Sequence, residues 1–84
     1  MKLHELKIKS AYAYAKLAGN KMFEIRLNDR DYRVGDIVKY TCIDSTLANE
    51  KLKNKLYYIS FITNYEQKDG YVVFGEREIK LCER

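Results

Sequence analysis

Three ionisable side chains with the character of a binding site lie close together at Lys21, Glu24 and Arg26, just after Gly19. Lysine and arginine both suit phosphate, the first as a compact charge and the second as a planar donor that makes two parallel hydrogen bonds. A glutamate accepts hydrogen bonds from exocyclic amines such as that of cytosine. The three residue types together therefore fit a nucleotide better than a bare phosphate.

The residues around this cluster predict how it is presented. Apolar and charged positions alternate as in a half-buried strand, and the apolar positions are Phe23, Ile25 and Leu27. A strand over 21–27 places Glu24 and Arg26 side by side on one face. A base held beside them could stack on a tyrosine, and the candidates are Tyr12, Tyr14 and Tyr71.

The same residues permit two other interpretations. Lys21 and Glu24 could act as an acid–base pair on a small amide or a nucleoside. Apolar neighbours and the charge of Arg26 would favour the neutral lysine that such chemistry needs, whereas Glu24 would oppose it. Alternatively, the charges simply pair with one another across exposed strands, an interaction worth only ~0.2 to 1 kcal/mol. Binding, catalysis and plain charge pairing are all compatible with these residue types.

Two further polar residues are candidates for ligand contact. Arg30 lies in the polar segment 28–31 and could bind a phosphate, although asparagine and aspartate in that segment are also typical of a turn. His4 alternates with Leu6 and Ile8, so we expect it in the core or at a barrel rim rather than in catalysis. A tyrosine cluster is expected to fill the core or cover one face of the sheet, and its members are Tyr57, Tyr58 and Tyr65.

The segments that position these side chains are mostly strands. Alternation over 3–9 predicts a first strand, followed from Ala11 by a helix of about two turns with Tyr14 and Leu17 on one face. Ser10 is the expected N-cap of this helix and Gly19 its left-handed stop. Further strands are predicted at 37–43, 56–65, 71–74 and 78–82, with a hairpin turn at 68–70, a bulge at Gly75 and a loop or single helical turn at 44–54.

These elements predict a mainly β, α+β fold. Five or six strands with one short helix between strands 1 and 2 cannot form a doubly wound α/β sheet, which needs repeated strand and helix units. A small, mostly antiparallel β-barrel fits better, because closure protects apolar strand edges. With 84 residues the chain has room for one modest core, so we expect a single domain over 1–84.

Charge and cysteine usage limit the classes of partner. The net charge of +4 and the pI near 9.1 permit binding to a polyanion without demonstrating it. Cys42 and Cys82 lack metal-binding spacing, and with a single histidine we expect no metal and no cofactor. No apolar run approaches the ~20 residues of a membrane span, and no signal-peptide core follows the first lysine. We therefore expect a cytoplasmic protein with reduced, buried cysteines.

The cluster and its flanks resemble a known family. The pattern Gly-x-Lys-x-x-Glu-x-Arg over 19–26 is similar to the signature of ASCH domains, the PUA-like barrels named for homology to an activating signal cointegrator. The flanking segments at 6–8, 28–31, 34–36 and 70–73 look like those of compact bacterial and phage members. The resemblance implies a pseudo-barrel whose helix packs beside a cleft, and a role in binding RNA or a modified nucleoside.

Carried over by position, the resemblance implies a cleft lined by Lys21, Glu24 and Arg26, with Lys7 from the first strand. Acetylcytidine amidohydrolases of this family resemble the chain at Gly19, Lys21 and Arg26 but have a nucleophilic threonine at the position of Glu24. A carboxylate is a poor replacement for a hydroxyl in amide cleavage. We therefore expect a monomer or weak homodimer that binds RNA or a nucleotide. The alternatives, in second place, are hydrolysis of a modified nucleoside and a phage-associated role in protein interaction.

Overall fold

The computed structural model describes residues 1–80, and the expected mainly β architecture is confirmed. Five strands form one mixed sheet that curves into a half-barrel, and two short helices accompany it. In chain order the elements are β1 (Leu3–Ile8), α1 (Ser10–Leu17), β2 (Phe23–Leu27), β3 (Ile37–Cys42), α2 (Thr46–Leu52), β4 (Tyr57–Thr63) and β5 (Tyr71–Glu78).

The strand order β1-β3-β4-β5-β2 determines where the fold is open. Three neighbouring pairs are antiparallel, as expected, but β1 and β3 are parallel. The parallel pair arises because the chain passes through α1 and β2 before it returns beside β1, the long crossover that parallel pairing requires. β1 and β2 are consequently the two end strands of the sheet, and each has a free edge.

The core lies on the concave side of the sheet and contains alternate residues of the strands. Leu6, Val38, Ile59 and Phe74 are each at most 2% exposed. Full burial of such a side chain contributes about 1.5 to 3 kcal/mol. The core is completed by residues of α2 and by aromatic side chains, which include Leu52, Ala48, Tyr40 and Tyr57.

The α1 helix differs from its prediction in two details. Lys9 occupies the N-cap position, and Ser10 is the first helical residue, whose amide donates to Asp44 at 2.8 Å. The face turned to the core consists of Ala13 and Lys16, whereas Tyr14 is 41% exposed. The α1 helix packs mainly against α2, and the long Lys16 side chain reaches inward from it to carboxylates of β2 and β5.

Gly19 ends α1 as predicted, with a φ of +82°. The amide of Asn20 donates to the carbonyl of Ala15 at 2.8 Å, and the amide of Gly19 donates to that of Lys16 at 2.9 Å. These two bonds form a Schellman motif, which satisfies the last helical carbonyls and reverses the chain. The motif delivers Lys21 to the start of β2.

Two other predictions need correction. Segment 44–54 contains α2, a helix rather than a loop or single turn, because the hydroxyl of Ser45 caps it and Ala48 and Leu52 share a buried face. β5 runs without interruption through Gly75 to Glu78, and the irregular pairing lies on the facing strand, between Ile59 and Phe61. The expected strand at 78–82 is therefore wrong where described, and its end and Cys82 lie outside the described residues.

The most informative feature of β2 is which of its two faces is buried. Glu24 and Arg26 do share one face, but this face points into the half-barrel, with Glu24 only 4% exposed. The alternating apolar residues point outward and are between 42% and 55% exposed, and they are Phe23, Ile25 and Leu27. A buried charge is stable only when it is paired, and Glu24 points inward because it pairs there with the buried ammonium group of Lys16.

Candidate functional site

The free edges of β1 and β2 flank an open cleft of about 540 Å³. The four residues expected at a common site, Lys7, Lys21, Glu24 and Arg26, all line it. The remaining lining comes from β1, α1 and β2, and comprises Ile8, Lys9, Tyr12, Phe23 and Ile25. The sheet order thus brings together side chains that are up to 19 residues apart in the chain.

Glu24 lies on the floor of the cleft and contacts three cations there. Its Oε2 accepts from Lys21 Nζ at 2.9 Å and lies 2.9 Å from Lys16 Nζ, and its Oε1 accepts from Arg26 Nε at 3.1 Å. Burial raises the pKa of Glu24, but the charge of Lys16 and the hydrogen bonds from Lys21 and Lys16 outweigh it and lower the pKa overall. Glu24 is therefore a carboxylate at neutral pH, held by three cations.

Lys16 lies behind Glu24 and is 2% exposed. Its ammonium group forms an ion pair with Glu76 Oε2 and donates to the carbonyl of Lys21 at 3.2 Å. The ring of Tyr40 lies 4.7 Å from Nζ, within the range of a cation–π contact. One buried ammonium consequently connects α1, β2 and β5 beneath the cleft.

Glu76 completes the buried network. Tyr40 donates its hydroxyl to Glu76 Oε1 at 2.5 Å, while Oε2 pairs with Lys16. Burial raises the pKa of Glu76, although the charge of Lys16 opposes that rise. Burial and the nearby carboxylates of Glu24 and Glu76 also raise the pKa of Tyr40, so its hydroxyl keeps its proton as a donor. The chain of contacts runs from Tyr40 through two carboxylates to the cleft surface.

Arg26 spans the gap between the two end strands. Its Nη2 donates to the main-chain carbonyl of Lys7 at 2.9 Å. Because Lys2 and Ile8 direct their carbonyls to amides at the ends of β3, the odd-numbered carbonyls of β1 face the gap. The guanidinium therefore takes the place of a strand-to-strand hydrogen bond, and the half-barrel stays open on either side of it.

A match to a family model covers this entire arrangement. The match extends over residues 3–76, and the family is described as a domain of unknown function (DUF3850). The chain belongs to the DUF3850 family. The matched range contains every residue that lines the cleft and the buried network behind it. A search of curated proteins finds no match.

The other predicted site residues of this DUF3850 domain lie apart from the main cleft. Arg30 lines a second cleft of about 420 Å³ at the same gap and donates to the carbonyl of Glu5 at 3.3 Å. Arg26 and Lys7 line both clefts. Tyr71 lies on β5 opposite Leu27 and lines neither cleft.

Of the tyrosines considered for stacking, Tyr12 is the one placed at the main cleft. It is 54% exposed, and Lys21 Nζ lies 5.3 Å from its ring centroid. Tyr57 is 1% exposed and belongs to the core, as expected, whereas Tyr65 is 77% exposed. A base that entered the cleft would therefore meet an aromatic surface beside a cation.

His4 belongs to a separate polar pair under the Gly35 corner of the DUF3850 domain. Its Nε2 lies 2.8 Å from Asp36 Oδ2, and both side chains are buried. Burial raises the pKa of Asp36, but hydrogen bonds from His4 and from the amides of Lys2 and Arg33 lower it overall. His4 is buried, as expected for a core residue, and lines neither cleft.

Lys16, Tyr40 and Glu76 are the site residues that sequence reasoning missed. Glu76 continues the inward alternation of Val72 and Phe74, which is a signal in the sequence, but the predicted strand ends at Phe74 because Gly75 indicates a bulge. Lys16 had a weaker signal, its position three residues after the buried Ala13 on the same helical face.

Metal and membrane chemistry receive no positive support from the described part of the chain. Within residues 1–80, no group of three or more metal-ligating side chains is arranged around a common point. No helix in that range is both long and apolar enough to cross a bilayer.

Cys42 is a buried thiol whose Sγ lies 3.4 Å from Asp44 Oδ1, which agrees with its expected place in the core.

Proposed function

We propose that this DUF3850 domain is an RNA- or nucleotide-binding module of PUA-like type, which holds its ligand in the cleft between β1 and β2. The observation that carries the proposal is the convergence of Lys7, Lys21, Glu24 and Arg26 on one open cleft. The resemblance of residues 19–26 to the ASCH signature supports the same assignment, since that resemblance implies a cleft of this composition.

The charge balance of the cleft favours an anionic ligand. Lys16, Lys21 and Arg26 face only two carboxylates, Glu24 and Glu76, so the network carries an excess positive charge. Lys7 and Lys9 add two more cations at the rim. A phosphate would bind Lys21 and the rim lysines, because charge-assisted hydrogen bonds are about twice as strong as neutral ones.

The cleft also offers recognition of a base. Tyr12 and Phe23 present rings at its wall, and Lys21 Nζ lies within about 5 Å of both ring centroids. Aromatic rings stack on any nucleobase, and such stacking is typical of proteins that bind unpaired RNA. The cleft therefore places a cation beside two aromatic rings.

Catalysis by a Lys21–Glu24 pair is the alternative that the geometry favours less. The two side chains form an ion pair at 2.9 Å, so both face the same part of the cleft. However, the pKa of Glu24 is lowered, and a carboxylate that three cations stabilise is a weak base. We therefore assign Glu24 the role of orienting Lys21 and Arg26.

The test is a fluorescence anisotropy titration of a labelled oligouridylate octamer, with uridine monophosphate as competitor, at low salt. We expect saturable binding by the wild type and an affinity loss of about tenfold or more for Lys21→Ala and Arg26→Ala, which is about 1.4 kcal/mol each. Lys51→Ala is the matched control, because it removes one positive charge from the exposed side of α2. Absence of saturable binding, or equal affinity in all four proteins, would overturn the proposal.

A further inference from the structure

An exposed apolar surface covers the convex side of the sheet. It is formed by outward-facing residues of β2, β5 and β4, which we call the outer face, and its members are Phe23, Ile25, Leu27, Phe61, Thr63, Tyr71, Val73, Gly75 and Arg77. Phe61 is 65% exposed and Ile25 55%. Large exposed apolar patches on a small protein usually mark an interaction surface.

The register of the sheet gives the outer face a regular layout. Gly75 pairs with Phe23 on one side and with Phe61 on the other. The two rings therefore project from strands that are about 10 Å apart, since neighbouring strands are separated by ~4.8 Å. Between them lies a strip where Gly75 presents no side chain, and the small hydroxyl of Ser60 lies 3.4 Å from where a Cβ of Gly75 would be. A flat group can lie over that strip and contact a ring at either end.

The outer face is continuous with the cleft. Phe23 and Ile25 line the cleft and at the same time belong to the outer face. Lys21 Nζ lies 5.0 Å from the centroid of the Phe23 ring, so a cation marks the boundary between the two surfaces. A ligand longer than one nucleotide that leaves the cleft at Phe23 therefore meets Phe61 next.

The charge on the strands of the outer face favours a polyanion as its occupant. The outward strand positions carry Arg77 and no carboxylate, whereas at the hairpin Lys68 shares the turn with the exposed carboxylates of Glu66 and Asp69. Two copies of the chain packed face to face would bury Arg77 without an acidic partner, which is costly. A polyanion with flat apolar groups satisfies both the cations and the rings.

We propose that the ligand is an unpaired nucleic acid strand that runs from the cleft over Phe23 and across Gly75 to Phe61, with its bases stacked on the two rings. The inference rests on the proposed function and narrows its ligand to a single-stranded polynucleotide instead of a free nucleotide. Stacking of one base on an aromatic side chain strengthens binding by about 5-fold to 100-fold.

Substitutions at Phe61 test this path, because Phe61 is outside the cleft and its exposed side chain is not part of the core. We expect Phe61→Ala and Phe61→Leu to weaken binding of the oligouridylate octamer by at least about fivefold. Phe61→Tyr retains a ring and is expected to bind as the wild type does. Leu47→Ala, an apolar truncation at an exposed position of α2, is the matched control.

Uridine monophosphate separates this inference from the function on which it rests. All Phe61 variants should bind the mononucleotide with wild-type affinity, since it reaches only the cleft. Wild-type octamer binding by Phe61→Ala, with losses in Lys21→Ala and Arg26→Ala, would overturn the path and leave the proposed function intact. Failure of the wild type to bind either ligand would overturn the proposed function itself.

Sedimentation velocity tests whether a second copy of the chain, instead of a nucleic acid strand, covers the outer face. A dimer that Phe61→Ala dissociates, while octamer affinity is unchanged, would overturn the inference in favour of self-association. A wild-type protein that stays monomeric without RNA and loses octamer affinity on Phe61→Leu supports it. The leucine variant is decisive because it keeps the apolar surface and removes only the ring.

Discussion

Lys16 shows how one buried charge organises the polar residues around it. Its ammonium group has no access to water and contacts carboxylates from β2 and β5, a carbonyl and an aromatic ring. Removal of a charged group from water costs several kcal/mol unless paired charges and hydrogen bonds offset it. The inward orientation of Glu24 and the ion pair with Glu76 follow from that requirement. The positions of Lys21 and Arg26 then follow from Glu24.

At the residue scale, we predict that Lys16→Met strongly destabilises the fold. The substitution leaves Glu76 buried without its cation, and loss of one partner of a buried ion pair costs about 3 to 5 kcal/mol in the free energy of unfolding. Urea unfolding followed by circular dichroism measures the change. The double substitution Lys16→Met with Glu76→Gln should recover part of the loss. A cost below about 1 kcal/mol for the single variant would mean that the pair does not hold the cleft floor.

Among the secondary-structure elements, the sequence predicts where strands lie better than it predicts which face of a strand is buried. Alternation predicted β1 and β2, residue preferences and turn signals predicted β3 to β5, and Gly19 predicted the end of α1, because these signals are local. The inward face of β2 depends on Lys16, a residue of another element, so alternation within β2 does not by itself say which side is buried. The cleft residues were predicted through the ASCH-like signature, whereas their connection to Glu76 needed the sheet order.

Gly19 gives an element-scale prediction. A Cβ added at Gly19 would meet no atom within 4 Å, so Gly19→Ala is opposed only by its φ of +82°. We expect a loss of about 1 kcal/mol in the free energy of unfolding, since a left-handed conformation costs alanine that amount.

Gly75→Ala is the control for this backbone effect. Gly75 lacks a positive φ, and a methyl there would make only an ordinary contact with Ser60 Oγ at 3.4 Å. Chemical denaturation of both variants provides the comparison. Equal losses at the two positions would show that the conformation of Gly19 is not the cause.

For the molecule as a whole, the free energy of unfolding should depend on pH in a direction that the shifted pKa values define. The pKa values of Glu24 and Asp36 are lowered from 4.5 and 3.8, so their contribution is complete above those values and is lost as pH falls through the folded-state pKa. Glu76 has the opposite sign, because its raised pKa favours the folded state at lower pH.

We therefore predict that the free energy of unfolding falls as the pH drops below about 4.5, and that Glu24→Gln makes this fall shallower. Urea unfolding at a series of pH values between neutrality and strong acid measures both slopes. Asp36 retains its carboxylate in the variant, so a smaller acid dependence should persist. Identical pH dependence in the wild type and Glu24→Gln would contradict the account of the buried network.

The half-barrel also explains why a basic molecule of this size presents a local site. The net charge of +4 is spread over the chain, but the gap between β1 and β2 gathers Lys7, Lys9, Lys21 and Arg26 at one opening. A cleft whose lining has an excess of one sign of charge focuses the electrostatic field and raises the rate of encounter with an oppositely charged ligand. The open edge, and not the total charge, is therefore the feature on which the proposed binding depends.

The salt dependence of octamer binding tests the cleft assignment most directly. For single strands, the slope of log K against log salt concentration is about −0.7 for each phosphate neutralised. If Lys21 and Arg26 each neutralise one phosphate, the double variant Lys21→Ala with Arg26→Ala should have a slope shallower by about 1.4, and Lys51→Ala should retain the wild-type slope. A double variant whose slope equals that of the wild type would contradict the assignment of the cleft as the phosphate-binding site.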